Sequence, residues 1–110
     1  MTPDEIRRFC LSLPETAEGD HFGSPSFKVA GKIFCTVSSE RPVMDFKLDP
    51  ADQANLTGAH PGVVEPVDSY WGRKGWTYAW YETGEAALLE MLIRMSWAQV
   101  APKRLKRAAN

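Results

Sequence analysis

The sequence predicts an α+β domain, an antiparallel sheet with helices packed on it. Three observations carry the prediction: a helix-start signature at the N-terminus, apolar and polar residues alternating between about 27 and 48, and a long apolar-striped segment ending near residue 100. The elements are expected in the order α-β-β-β-α-β-β-α.

Thr2-Pro3-Asp4-Glu5 opens the first helix. Thr2 can cap it, Pro3 suits the first helical position, and Glu5, three residues after the cap, completes a capping box. Ile6, Phe9, Cys10 and Leu13 follow at i, i+3, i+4 and i+7, one apolar stripe that ends at Pro14. Residues 15–25 are acidic and rich in Gly, Ser and Pro, which predicts a loop with at most a brief strand near His21-Phe22. Phe27-Lys28-Val29 and Lys32 to Val37 then read as strands joined by an Ala30-Gly31 turn, because glycine accepts the positive φ of a tight hairpin. Val43 to Leu48 alternates again, Met44, Phe46 and Leu48 on one face and Asp45 and Lys47 on the other, so a three-stranded meander is expected.

Asp49-Pro50 restarts a helix by cap and proline, and Gly58 with His60-Pro61-Gly62 stops it. A short Val63-Val64 strand and a Tyr70–Gly75 loop lead to Trp76-Thr77-Tyr78-Ala79-Trp80-Tyr81, whose aromatic and β-branched content predicts a strand. From about Glu85 to Val100, Leu88, Leu89, Met91, Leu92, Ile93, Met95, Trp97 and Val100 form a broad stripe, Glu90 and Arg94 are expected to pair on the wet side, and Pro102 ends this main core helix. The pattern contains no repeat, low-complexity tract or linker.

With 110 residues, 44% of them hydrophobic, the chain has the size of one domain, 1–110, with a single core. Its apolar runs fall far short of the roughly 20 residues a membrane-spanning helix needs, and Asp4, Glu5, Arg7 and Arg8 do not suit a signal peptide, so a soluble, cytoplasmic protein is expected. Cys10 and Cys35 occupy apolar-pattern positions, as buried free thiols do; a disulfide between them is open. The formal net charge is −1, yet residues 102–110 carry Lys103, Arg104, Lys106 and Arg107 and no acid, a basic tail expected to be flexible that hints at an anionic partner.

Catalytic and metal-binding signals are missing. His21 and His60 lie in different loops without a nucleophile motif, and neither C-x-x-C nor H-x-x-x-H spacing occurs, so no enzyme activity, metal or cofactor is expected. An enzyme would need a pocket joining His21 to a carboxylate such as Asp45, or to Cys35. Cations and aromatics give more. Lys28 and Lys32 flank the Ala30-Gly31 turn, and Arg73 and Lys74 stand among Tyr70, Trp71 and Trp76. If both loops project from one edge of the sheet, these cations together with Lys103, Arg104, Lys106 and Arg107 would grip phosphates while Tyr70 or Trp71 stacks on a base or wedges a groove. The bland alternatives are solvated charges blunting sheet edges, tryptophans packed under the loop, and a solvated tail. The aromatics of 70–81 also suit an apolar groove for a protein or peptide partner, or a homodimer.

Several segments resemble the MmcQ/YjbR family: Pro25 to Phe34, Phe46-Lys47-Leu48-Asp49-Pro50, Trp71-Gly72 with Gly75-Trp76-Thr77, and Ser96-Trp97 with Ala101 to Leu105. The resemblance spans nearly the whole chain. It implies a secretion-chaperone-like or CyaY-like α+β fold and a "double wing" of hairpin loops of the DNA-binding type, in a family whose role is largely unassigned. The family pattern carries onto Lys28 and Lys32 in the first hairpin and onto Arg73 and Lys74 in the second loop. Trp71-Gly72 and the glycine before Trp76 depart from the polar, more basic loop common in the family.

Overall fold

A computed structural model describes the backbone of residues 1–109 and the side chains of residues 1–106. Helix α1 (Pro3–Ser12) leads into strands β1 (Thr16–His21), β2 (Ser24–Val29), β3 (Lys32–Val37) and β4 (Val43–Lys47). Helix α2 (Pro50–Ala59), strand β5 (Val64–Pro66), helix α3 (Tyr70–Arg73), strand β6 (Trp76–Trp80) and helices α4 (Ala86–Val100) and α5 (Lys103–Ala109) complete the chain. The strands form one antiparallel sheet in the order β1-β2-β3-β4-β6-β5, so the α+β fold class holds.

The capping box of α1 is present: Glu5 N donates to Thr2 Oγ1 at 3.1 Å, and Thr2 N donates to Glu5 Oε1 at 2.8 Å. Asp49 caps α2 by accepting from Ala51 N at 2.8 Å. The meander has four strands rather than three, because residues 16–21 pair along their whole length with β2 instead of forming a loop. Hairpin pairing supplies what the polar Thr-Ala-Glu-Gly-Asp-His stretch cannot signal by alternation. Both two-residue turns, Phe22-Gly23 and Ala30-Gly31, have positive φ at each central residue (51° and 84°; 51° and 79°), the geometry that matches hairpin twist.

Antiparallel register sorts the side chains into two faces. One carries Phe27, Val29, Cys35, Val37, Met44 and Phe46, all buried, and α4 lies across it on β3 and β4 with Leu89, Leu92, Ile93 and Trp97. Between the pairs Phe27↔Cys35 and Lys28↔Ile33, β3 has one extra residue, Phe34. Ser96 of α4 serves this irregularity. Its hydroxyl donates to Phe34 O at 2.5 Å and accepts from Lys47 N at 2.8 Å, tying β3 and β4 to the helix.

Three further expectations change. Residues 70–73 are a short helix rather than loop, started by Ser69, whose Oγ accepts from Trp71 N at 3.2 Å. Arg94 leaves Glu90 and places its guanidinium 4.9 Å from the Phe9 ring centroid, a cation–π contact that joins α4 to α1. The basic tail is helical through α5 and is anchored by buried Leu105. Leu105 gives this helix one apolar contact to the core, which a reading by charge alone overlooks. Among the described residues, no helix is long and apolar enough to cross a membrane.

Candidate functional site

The second face of the sheet holds the side chains that the core does not use. Cross-strand partners Ser26, Thr36, Asp45, Tyr78 and Glu65 form a row across β2, β3, β4, β6 and β5. Lys28 and Ile33 face each other one step along, and Lys47 pairs with Trp76. Beside β2, Gly19 of β1 flanks the Lys28 stem at ordinary contact distance: a Cβ there would lie 3.9 Å from Lys28 Cε and 3.4 Å from Ser26 Oγ.

Topology brings the four loop cations to one end of this sheet. The Ala30-Gly31 turn lies where β2 ends and β3 begins; β4 finishes and β6 begins at the same end, because each pair is antiparallel. Lys28 and Lys32 therefore share an end with Arg73 and Lys74 just before β6, and Lys47, which sequence reasoning left aside, joins them. Lys32, Arg73 and Lys74 are exposed and Lys28 is half-buried. Tyr70 and Trp71 stand beside them at 60% and 59% exposure, which rules out tryptophan packing under the loop as the role of Trp71. Lys74 Nζ lies 5.4 Å from the Tyr70 ring centroid.

The tail contributes less. Arg104 makes a forked contact with Glu15, Nη1 to Oε2 at 2.9 Å and Nη2 to Oε1 at 3.4 Å. The Arg104 hydrogen bond holds the Glu15 carboxyl below its usual range. Lys103 is exposed and Lys106 half-buried; the Arg107 side chain lies outside the described residues.

The turn that carries Trp71 is held in place by packing and hydrogen bonds. Gly72 is buried so tightly that a Cβ would come within 1.8 Å of Val67 O, and Gly75, at φ 103°, approaches Leu48 O so that a Cβ would fall at 1.9 Å. Gln53 of α2 reaches across with Nε2 to Gly72 O at 3.0 Å, Trp76 O at 3.0 Å and Thr77 Oγ1 at 3.1 Å. Trp71 is thus exposed on a fixed backbone, a pre-organised arrangement that lowers the cost of ordering it on binding.

A cleft of about 330 Å³ opens beside Trp71, lined by His21, Ile33, Thr36, Asp45, Val67, Trp71 and Trp76. It brings His21 and Asp45 to one cavity, a juxtaposition that sequence reasoning could name but not place. Cys35 is excluded: it is buried on the opposite face, and the Cys10 thiol beside it together with burial pushes its own thiol well up, keeping it protonated. Burial also pushes the Asp45 carboxyl up, with Arg41 opposing. No side-chain hydrogen bond or ion pair among the described residues engages Asp45, which stands between Thr36 and Tyr78 across the sheet.

Farther along β6 the aromatics are engaged. The Arg41 guanidinium lies 5.0 Å from the Tyr78 ring centroid and 5.6 Å from that of Trp80, and Trp80 Nε1 donates to Glu65 Oε2 at 3.4 Å. Hydrogen bonding from Tyr78 and Trp80 lowers the Glu65 carboxyl, and the same Glu65 contact raises the Tyr78 hydroxyl. Tyr81 is buried. Of the 70–81 aromatics, Tyr70 and Trp71 remain largely open, and Trp76 is shared with the cleft.

A model of the YjbR family matches residues 11–99. The crystal structure of a Deinococcus radiodurans protein with a DUF419 domain superposes with a TM-score of 0.80 at 26% identity, over 98% of this chain and 84% of that one. No curated protein matches the chain.

Proposed function

The chain belongs to the YjbR family, and from that premise we propose that it binds DNA weakly and, along a duplex, with little sequence preference, gripping phosphates with Lys28, Lys32, Arg73 and Lys74. The observation that carries this reading is the convergence of both cationic loops, with exposed Tyr70 and Trp71, on one end of the sheet. Cations supply salt-dependent affinity without sequence information, and the aromatics supply stacking that any base can accept. Lys47 and Lys103 add to the field; Arg104, paired with Glu15, adds less. No catalytic step belongs to this reading, and neither a metal nor a cofactor is required by it.

A protein or peptide partner is the alternative. Phe22, 94% exposed at the tip of the β1–β2 turn, favours it together with Tyr70 and Trp71. Phe22 sits at the other end of β2, however, and the engagement of Tyr78 and Trp80 by Arg41 and Glu65 interrupts the apolar surface, so this reading has the weaker support.

Anisotropy titrations of a labelled duplex test the proposal. Four phosphate contacts give a log–log salt slope of about −3.6, so affinity should fall about 150-fold between roughly 50 and 200 mM salt. A slope near zero, or no binding at the lower salt, would retire the DNA reading in favour of a protein partner.

A further inference from the structure

We infer that the cleft lined by Trp71, Trp76 and Asp45 receives a single unpaired guanine base, with the Asp45 carboxylate accepting from its N1–H and N2–H groups. The inference rests on the nucleic-acid reading for its phosphate contacts and names the ligand of the adjoining cavity.

Size, wall chemistry and an unmet acceptor point the same way. At about 330 Å³ the cleft is near the small end of ligand pockets, which run from roughly 300 to 1,000 Å³, and suits one base rather than a duplex. Trp71, Trp76, Ile33 and Val67 supply apolar and aromatic surface, the lining on which bases stack. The polar lining groups are His21, Thr36 and Asp45, and among the described residues no side-chain hydrogen bond or close ion pair engages Asp45, on which the Arg41 charge acts from farther off.

An ionised carboxylate only accepts, through two oxygens side by side. Guanine presents two adjacent donors on its Watson–Crick edge and fills both. Adenine and cytosine each offer one amino group beside an acceptor nitrogen, and thymine offers one N–H between two carbonyls that the carboxylate repels. A carboxylate floor therefore ranks the bases guanine first and thymine last, and a good bidentate contact discriminates by about 1–3 kcal/mol. Asp45 repels phosphate, but it stands in the middle of β4. Lys32, Arg73 and Lys74 lie at the sheet end, where a strand's backbone would run as its base turns into the cleft.

The experiment compares short single-stranded thymidine oligonucleotides that carry one central dG, dA, dC or dT, titrated by anisotropy at low salt, with free guanosine monophosphate titrated by tryptophan quenching. Expected is tighter binding of the dG strand than of the all-dT strand by about 5- to 150-fold. Asp45→Asn should bring the two strands within about twofold of one another, at an unchanged salt slope, whereas Trp71→Ala should weaken all strands alike. Equal, salt-sensitive binding of all four strands overturns the guanine site and leaves phosphate gripping intact. Asp45-dependent quenching by the free nucleotide without strand binding supports the base pocket and overturns the DNA reading. No response to either ligand overturns both.

Discussion

Replacing Trp71 with alanine separates the stacking contribution from the phosphate contribution. At 59% exposure about two-fifths of the side chain is covered, or roughly 100 Å² of a tryptophan's ~250 Å², so folding loses at most about 2.5 kcal/mol at ~25 cal/mol per Å². That lies within the roughly 5–15 kcal/mol by which domains are stable, so the variant stays folded at room temperature. Its backbone turn keeps its own supports, Gly72 against Val67 and the Gln53 hydrogen bonds. Loss of one stacked base costs about 1–3 kcal/mol, or a Kd weaker by about 5- to 150-fold. The charges are untouched, so the salt slope should stay as in the wild type. The assay is anisotropy at several salt concentrations, with circular dichroism to establish that the protein is folded. Affinity within twofold of wild type in a folded variant would refute base stacking at Trp71, and a changed slope would refute the separation of the two contributions.

Other perturbations test how the site is held. Ser96→Ala strands a buried backbone carbonyl, Phe34 O, and a partly buried amide, Lys47 N, and should cost about 1–3 kcal/mol for the first and less for the second, measured by urea denaturation. Gly75→Ala must move the Leu48 carbonyl and should cost clearly more in Tm than Gly31→Ala. The latter also has a positive φ but open space around it, and about 1–2 kcal/mol of left-handed strain is expected there. Burial raises the Asp45 carboxyl, so its stabilising influence is complete below the ordinary aspartate value and is lost as pH rises through its raised native value. Asp45→Asn should therefore raise Tm at neutral pH, and that gain should shrink as pH falls through the native Asp45 titration; a pH-independent difference in thermal melts would contradict it.

How far the sequence reveals this molecule depends on what kind of signal each element carries. Capping and periodicity are local, and α1, α2, β4 and α4 follow from Thr2 with Glu5, from Asp49 with Pro50, from the alternation around Met44 and Phe46, and from the apolar stripe Leu88 to Val100. β1 has no local signal: Thr16 to His21 is polar, partly exposed and ordered by pairing with β2. α3 is only Tyr70–Arg73 and depends on Ser69 and Gly72 of its own stretch and on Gln53 of α2, while α5 hides its anchor, Leu105, among cations. The cations and Trp71 were legible as residue types. The cleft was not, because joining His21 of β1 to Asp45 of β4 and Val67 before α3 requires knowing which face of a curved sheet each residue occupies.

The proposed phosphate contact at this end of the sheet is tested most directly by the salt dependence of duplex binding for wild type and for a variant with Lys28, Lys32, Arg73 and Lys74 all replaced by alanine. These side chains are half-buried or exposed, so the variant should fold. Its log–log slope should rise from about −3.6 to near zero, with loss of most of the affinity at roughly 50 mM salt. An unchanged slope and affinity in the folded variant would contradict the assignment and place any DNA contact elsewhere on the molecule.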